Sequence, residues 1–210
     1  SSAASDVYKR QARRSDLTGF LSGEAFAVDT KNSGTLTGLR WGSASELPVL
    51  ALHGWLDNAS SFAPLASHLS GFQLLALDLP GHGHSQHRPP GMRYHLLDYV
   101  PAVLEAAEGL GWESGLIMGH SLGGAIAGLV AIAAPERVKA IILIEGLGPL
   151  SESETKLPGR LRNSVEGYAR AQTRSSPVYP DIEPLIATRT RIGAMHEASA
   201  RLLIERNVRE

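Results

Sequence analysis

A serine between two glycines carries the first chemical signal in this chain of 210 residues. Ser121 lies in Gly-His-Ser-Leu-Gly, residues 119–123, after an apolar run and before an alanine-rich stretch. The segment fits G-x-S-x-G, in which a strained turn between a strand and a helix exposes a serine hydroxyl. That hydroxyl is a poor nucleophile until a base takes its proton. The pattern therefore predicts a nucleophilic serine that needs a base; the alternative is a Gly-Ser loop without chemistry.

Two backbone N–H groups are candidates to stabilise the negative charge that forms when a serine attacks a carbonyl. His53 and Gly54 end an apolar run and allow a sharp turn, which exposes the N–H of Trp55. The N–H of Leu122 begins the helix that follows Ser121, and a helix N-terminus favours negative charge. We therefore predict an oxyanion hole made by Trp55 and Leu122, with the Trp55 indole lining the acyl pocket. The His53 side chain is expected to pack under the loop.

The segment Asp-Leu-Pro-Gly-His-Gly-His-Ser, residues 78–85, and the residues just after it contain three histidines in six positions, at 82, 84 and 87. Their spacing suits no rigid metal site, and no carboxylate ligand is close to them in sequence. Gly81 and Gly83 permit unusual backbone angles, and Asp78 can cap the turn through its carboxylate. The segment therefore predicts a structural loop, with no metal and no cofactor.

The overall composition excludes several classes of function. The formal net charge is −1, which provides no field to attract nucleic acid or an anionic membrane. Cysteine is absent, which excludes disulfides, cysteine-ligated zinc and thiol catalysis. No apolar run approaches the roughly 18 residues that span a bilayer. We expect a cytoplasmic protein with no nucleic-acid or membrane partner, and a frayed arm at residues 1–17.

The order of apolar runs predicts an α/β fold. Several of these runs are apolar throughout, which is typical of strands buried on both faces of a parallel sheet. Helical patterns alternate with them, so we predict a doubly wound, mostly parallel sheet. The predicted helices cover 60–70, 96–111 and 122–138, and the predicted strands cover 24–30, 34–42, 47–54, 72–81, 114–121 and 138–146.

The character of the sequence changes near residue 150. Two helical patterns follow, at 157–173 and 181–206, and the second could bend near Gly193. We therefore divide the chain into a core at residues 1–150 and a helical region at residues 151–210.

Four short strings resemble the α/β-hydrolase superfamily over residues 22–148. They are His-Gly-Trp (53–55), the string at 78–85, Gly-His-Ser-Leu-Gly-Gly (119–124) and Pro-Glu-Arg-Val (135–138). The longer strings at 53–62 and 143–150 resemble the serine hydrolase-like proteins in particular. The resemblance implies that residues 151–210 are a helical cap inserted after the sixth strand. It also implies acyl transfer on a small-molecule substrate, through an acyl-enzyme on Ser121 that water releases.

The resemblance further implies a triad in the order serine, acid, histidine. Glu145 ends a predicted strand and is the candidate acid; the alternative is a residue bonded to backbone where the cap begins. His196 follows the nucleophile at a useful distance, but its helical surroundings favour a surface or packing role. The base is therefore expected outside the printed sequence.

The last strands of the superfamily sheet are likewise expected to be absent from residues 1–210. The chain is then one piece of a split enzyme, a truncated enzyme, or a natural remnant without hydrolase activity. The sixth strand would be an exposed apolar edge. We expect a C-terminal segment, a second chain or a homodimer partner to cover it.

The sequence thus favours a serine hydrolase acting on carboxylic esters or related acyl substrates. Apolar residues around the site, among them Trp55, Leu122, Leu147 and Leu150, indicate an acyl group with some hydrophobic bulk. A non-catalytic ligand-binding protein of the same fold is the first alternative. Cofactor-free haloperoxidases and C–C hydrolases also use a serine nucleophile, so these two activities are further alternatives. Dehalogenases and epoxide hydrolases normally place aspartate at this position, so Ser121 argues against them.

Overall fold

The computed structural model describes residues 22–89, 91–146, 148, 151, 153–172 and 178–208. The predicted arm at 1–17 lies outside these residues, as do Leu147 and Leu150.

Six strands form one sheet within the described residues. They are β1 (Glu24–Thr30), β2 (Gly34–Trp41), β3 (Leu47–Leu52), β4 (Phe72–Leu77), β5 (Gly115–His120) and β6 (Val138–Ile144). Their spatial order is β1-β2-β4-β3-β5-β6, with β4, β3, β5 and β6 parallel and β1 and β2 antiparallel. The predicted mostly parallel α/β sheet is confirmed.

The predicted strands overrun the observed ones at their carboxyl ends. β3 stops at Leu52 and β4 at Leu77, whereas the apolar patterns continue to residues 54 and 81. At these ends the chain leaves the sheet to form the loops that surround the candidate site. Apolar character persists there because the loops are themselves buried; His53, Asp78 and Leu79 are fully inaccessible.

Six α-helices accompany the strands in the described part of the chain. They are α1 (Ala63–Ala66), α2 (Tyr99–Gly109), α3 (Leu122–Ala133), α4 (Leu157–Gln172), α5 (Glu183–Gly193) and α6 (Glu197–Asn207). The long helical pattern at 181–206 divides where Ala194 adopts a left-handed conformation, next to the predicted bend at Gly193.

The helix predicted over 60–70 is wrong in extent. The chain there forms a 3-10 turn at Ala59–Phe62, and α1 that follows is a single helical turn. Pro64 explains the difference, because it has no N–H to donate to the carbonyl of Ser60. The N–H of Ala63 donates to the Ser60 carbonyl instead, and this bond between residues three positions apart is that of a 3-10 turn.

The central strands β3, β4 and β5 are buried on both faces, as their apolar runs predict. Leu50, Leu52, Leu75 and Leu77 pack against α2 and α3 on one face. Their neighbours along the same strands, among them Val49, Ala51, Leu74 and Ala76, form a second cluster with the 59–62 turn and α1. Leu202 of α6 packs against this second cluster, so α6 lies on that face.

β6 is an edge of the sheet in the described structure. It pairs with β5, and Ile141, Ile142 and Ile144 are each 39–40% exposed. The exposed apolar edge expected from the sequence is therefore present. None of the described helices has the length and apolar character needed to cross a membrane.

Candidate active site

Ser121 occupies the corner between β5 and α3. Its φ of 48° and ψ of −110° are unfavourable for a residue with a side chain, so the backbone is strained there. The Ser121 N–H donates to the Ile144 carbonyl at 2.9 Å, and the Ser121 carbonyl accepts from the Gly124 N–H at 2.9 Å. Ser121 is exposed, and its hydroxyl makes no capping hydrogen bond to α3. The corner therefore places Ser121 at the carboxyl end of the sheet, with no capping bond from its hydroxyl within the described part of the chain.

The glycines of the motif are required by close backbone contacts. A Cβ on Gly119 would lie 2.3 Å from the Gly123 carbonyl oxygen. A Cβ on Gly123 would lie 2.1 Å from the Leu52 carbonyl oxygen. Neither contact could be relieved by moving a flexible side chain, so strand and helix can meet this closely only with glycine at both positions.

The loop after β3 forms a tight turn, Gly54–Asp57, in which the Asp57 N–H donates to the Gly54 carbonyl at 3.2 Å. Leu56, its third residue, has φ of 62°, a conformation that favours glycine. The N–H groups of Trp55 and Leu122 donate to no other described residue. Both predicted oxyanion donors are thus available, while the Trp55 indole is 62% exposed.

His53 holds this loop from below, as its sequence position predicts. Its Nδ1–H donates to the Gly54 carbonyl at 2.8 Å, and its Nε2 accepts from the Leu79 N–H at 3.0 Å. Complete burial, only partly offset by the Gly54 hydrogen bond, lowers the pKa of His53 to about 4. With both ring nitrogens bonded to backbone, His53 is a structural histidine.

Glu145 follows β6 in a left-handed conformation, with φ of 52° and a side chain that is 84% exposed. Its Oε2 lies 3.8 Å from His120 Nε2. The other ring nitrogen of His120 lies 3.7 Å from Asp57 Oδ2, and Asp57 also pairs with Arg189 of α5. The imidazole beside Glu145 is therefore the one that precedes Ser121 in the motif.

His196 is exposed at the start of α6, where its carbonyl accepts from the Ala200 N–H at 3.0 Å. No described hydrogen bond joins its side chain to Ser121. Its role as base gains no geometric support, and the surface role stays the prediction.

Asp78 lies at the centre of a polar network beneath the loop after β3. Its carboxylate accepts from the Ala59 N–H at 2.8 Å, the Thr37 hydroxyl at 2.8 Å and the His84 N–H at 3.2 Å. The guanidinium of Arg206 donates to both carboxylate oxygens. Burial acts to raise the pKa of Asp78, but Arg206 and the hydrogen bonds from Ala59 and Thr37 together outweigh it, so the pKa lies below its usual value.

The loop at 78–85 is built as the sequence predicts, with Asp78 bonded to the turn it begins. Gly83 has φ of 51°, and a Cβ there would lie 2.4 Å from the Asp78 carboxyl carbon. His82 Nδ1 contacts the Pro80 carbonyl oxygen at 3.2 Å. Among the described residues, no group of three histidine, aspartate or glutamate side chains is arranged to hold a metal ion.

Sequence reasoning missed the polar residues of the C-terminal helices. Arg206 is 128 positions from Asp78 and Arg189 is 132 from Asp57, so no local pattern could pair them. The one available signal was the number of arginines after residue 150, which a solvated surface explains equally well.

Two cavities adjoin the site. The first, of about 410 Å³, is mostly apolar and is lined by residues that include Asp57, Phe62, Leu65, His120, Ile144 and Met195. The second, of about 840 Å³, lies between α4 and the segments 87–89 and 91–94. Trp55, Met92, Tyr94 and Tyr168 are among its lining residues.

A family model described as the alpha/beta hydrolase fold matches residues 48–193, which include Trp55, Ser121 and Glu145. A human serine hydrolase-like protein is 42% identical over 147 residues, covering 69% of this chain and 72% of its own. The chain belongs to the α/β-hydrolase family, in its serine hydrolase-like branch. A zebrafish (Danio rerio) serine hydrolase-like protein is 35% identical over 182 residues, but this match spans 84% of the chain and only 56% of the zebrafish protein.

Solved structures agree with the family. A hypothetical protein from Pseudomonas aeruginosa PAO1 superimposes on this α/β hydrolase with a TM-score of 0.77 to 0.79 at 38–39% identity, covering 89% of this chain and 65% of the other. A thioesterase domain from the curacin biosynthetic pathway gives a TM-score of 0.73 at 25% identity, covering 88% of this chain and 67% of the other.

Proposed function

We propose that this α/β hydrolase is a serine hydrolase acting on carboxylic esters or related acyl compounds through an acyl-enzyme on Ser121. The observation that carries the proposal is the strained corner at Ser121, an exposed residue. Beside it, the N–H groups of Trp55 and Leu122 lack partners among the described residues. Backbone strain persists where the surrounding structure enforces it, and functional sites are where it concentrates.

In the proposed reaction, Ser121 Oγ attacks the substrate carbonyl carbon and gives its proton to a base. The carbonyl oxygen becomes an oxyanion that accepts hydrogen bonds from the N–H groups of Trp55 and Leu122, each contributing about 3 kcal/mol. The base returns the proton to the leaving alcohol, and the acyl group stays on Ser121. Water, deprotonated by the same base, then attacks the acyl carbon, which releases the acid and restores the hydroxyl.

We propose that the base is a histidine supplied from outside residues 1–210, by a C-terminal segment or a second chain. Glu145 is the proposed acid that orients it. Glu145 directly follows Ile144, whose carbonyl accepts the Ser121 N–H, so the acid and the nucleophile belong to neighbouring strand ends. The high exposure of Glu145 leaves its carboxylate accessible to an incoming imidazole.

The proposed substrate is a small acyl compound with apolar bulk, and the reaction uses no cofactor. The apolar lining of the 410 Å³ cavity and the aromatic residues of the cleft beside Trp55 support this choice. The similarity to a thioesterase domain favours thioesters among the related acyl compounds. We place the activity in the cytoplasm, with no nucleic-acid or membrane partner.

A fluorophosphonate probe tests the proposal, because it reacts with an activated serine and not with an ordinary hydroxyl. The protein is assayed with the histidine-bearing segment or chain that the proposal requires. We expect one labelled site, at Ser121, which disappears in Ser121→Ala while labelling survives in the neighbouring-loop variant Ser61→Ala.

Absence of labelling would contradict the proposal and favour the non-catalytic alternative, in which Ser121 and the two N–H groups hold a carbonyl ligand. One observation favours that alternative: no described histidine is hydrogen-bonded to the Ser121 hydroxyl.

A further inference from the structure

The last turn of α6 contacts two separate segments around the candidate oxyanion hole. Asn207 Oδ1 accepts from Asn58 Nδ2 at 3.0 Å and from the Gly83 N–H at 3.3 Å. Asn207 Nδ2 donates to the Leu56 carbonyl at 3.4 Å. One side chain thus joins both ends of the Leu56–Asn58 segment to the loop at 78–85, although it lies about 150 positions away from that segment.

Asn58 continues the same network into the interior. It is fully buried, and its Nδ2 also donates to the Leu203 carbonyl of α6 at 2.8 Å. Its Oδ1 accepts from the Ser60 N–H at 3.0 Å, which starts the 3-10 turn. Both groups of the Asn58 amide are therefore committed, one to the local turn and one to α6.

Arg206 anchors this turn of helix to the core. Its Nη2 lies 2.6 Å from Asp78 Oδ2, and the two side chains are 10% and 0% exposed. Two-point donation by a guanidinium fixes orientation as well as distance. The position of Asn207 is thus set by an ion pair on the residue before it.

The turn that this network holds is strained. Leu56 has positive φ, which is unfavourable for a non-glycine residue, and such conformations persist only where neighbouring contacts enforce them. Within the turn a single described backbone hydrogen bond, from the Asp57 N–H to the Gly54 carbonyl, supports it. His53 supports the turn at the Gly54 carbonyl and His120 lies beside Asp57. The C-terminal helices add contacts at its other end, through Asn207, Leu203 and Arg189.

We infer that Asn207 and Arg206 are positioning residues: the last turn of α6 holds the Gly54–Asp57 turn in the strained conformation that aims the Trp55 N–H. This inference rests on the proposed function, in which that N–H binds the oxyanion. It makes the C-terminal helices part of the catalytic geometry, in addition to any part they have in enclosing substrate.

Hydrogen exchange tests the structural half without any need for activity. The Asp57 amide closes the turn, so its exchange rate, measured by NMR, reports how often the turn opens. We expect Asn207→Ala to raise that rate about tenfold, the factor that matches loss of one or two hydrogen bonds. The Val130 amide in α3 should be unaffected, which excludes global destabilisation.

Arg201→Gln is the matched control. Arg201 belongs to the same helix, but it pairs with Glu183 and Glu197 on the solvent side. Its loss weakens α6 without touching the loop, so Asp57 exchange should stay unchanged. Equal exchange rates at Asp57 in Asn207→Ala and in the unaltered protein would overturn the inference.

Acylation kinetics test the catalytic half. A misplaced oxyanion donor affects the transition state and not substrate binding, so Asn207→Ala should lower kcat about 10- to 100-fold with KM unchanged. Asn207→Asp, which keeps the acceptor for Asn58 and Gly83, should restore part of that loss. The kcat of Arg206→Lys should lie between that of Asn207→Ala and that of the unaltered protein.

Faster Asp57 exchange with unchanged kcat would overturn the positioning role. An unreactive Ser121 in the unaltered protein would instead overturn the proposed function, while the exchange experiment would still decide whether α6 holds the turn.

Discussion

His53 and Ser121 lie at the ends of neighbouring strands, and the structure uses them in opposite ways. Ser121 is exposed, whereas both ring nitrogens of His53 are bonded to backbone in a fully buried position. A histidine close to a nucleophile is a natural candidate for the base. Its contacts exclude that role here and give it another, which is to tie the loop after β3 to the loop after β4.

This role makes stability depend on pH. The pKa of His53 is about 4 in the folded protein and about 6.5 when unfolded, so between these values the unfolded chain binds more protons. The free energy of unfolding should therefore decrease as pH falls from 6.5 towards 4, with a loss of about 2 kcal/mol from this group between pH 8 and pH 5. Urea denaturation at the two pH values measures it.

The comparison that isolates His53 uses two variants. His53→Gln removes the titrating group and should show a smaller difference between pH 8 and pH 5 than the unaltered protein. His68→Gln, at an exposed position, should keep the full difference. The same pH dependence in all three proteins would contradict the assignment.

Among secondary-structure elements, α3 shows most directly why glycine is needed at one position and not at another. Gly123 and Gly128 both lie in this helix, and glycine is unfavourable in a helix by about 1 kcal/mol relative to alanine. A Cβ on Gly128 meets no atom within 4 Å, whereas a Cβ on Gly123 meets the carbonyl oxygens of Leu52 and His53.

The two alanine variants should consequently differ in sign. Gly128→Ala should raise the free energy of unfolding by up to about 1 kcal/mol. Gly123→Ala should lower it by about 1–3 kcal/mol, because the backbone of β3 must move, and should also slow labelling of Ser121. Urea denaturation and the fluorophosphonate assay give the two readouts; a stabilised Gly123→Ala protein would show that the close contact is not required.

The same elements show what sequence can and cannot predict. The strands can be predicted because a strand buried on both faces is a continuous run of apolar residues. Ser121 can be predicted because its motif is local in sequence. Pro64 shortens one predicted helix, since one missing N–H outweighs a helical pattern of four apolar residues. The contacts of Asn58, Asp57 and Asp78 with the C-terminal helices depend on how elements pack across more than 100 residues, and no periodicity encodes that.

At the level of the whole molecule, the sheet is unevenly covered. The described strands from β2 to β5 have neighbours on both sides, whereas β6 has β5 alone and exposes three isoleucines. An apolar edge strand with free N–H and carbonyl groups is a template for pairing with another chain. The chain spans only about half the length of some relatives that it matches. We propose that a segment from outside residues 1–210 covers this edge.

A protein consisting of residues 1–210 alone should therefore self-associate through β6. Sedimentation velocity should show the average mass rising with concentration, and Ile142→Lys, which places a charge on the edge strand, should weaken this association at least about tenfold. Ile132→Lys is the matched control, because Ile132 is 79% exposed on α3 and its loss leaves the edge apolar. If both lysine variants weaken association equally, general surface hydrophobicity and not the strand edge is responsible. An unaltered protein that stays monomeric at all concentrations would contradict self-association through β6.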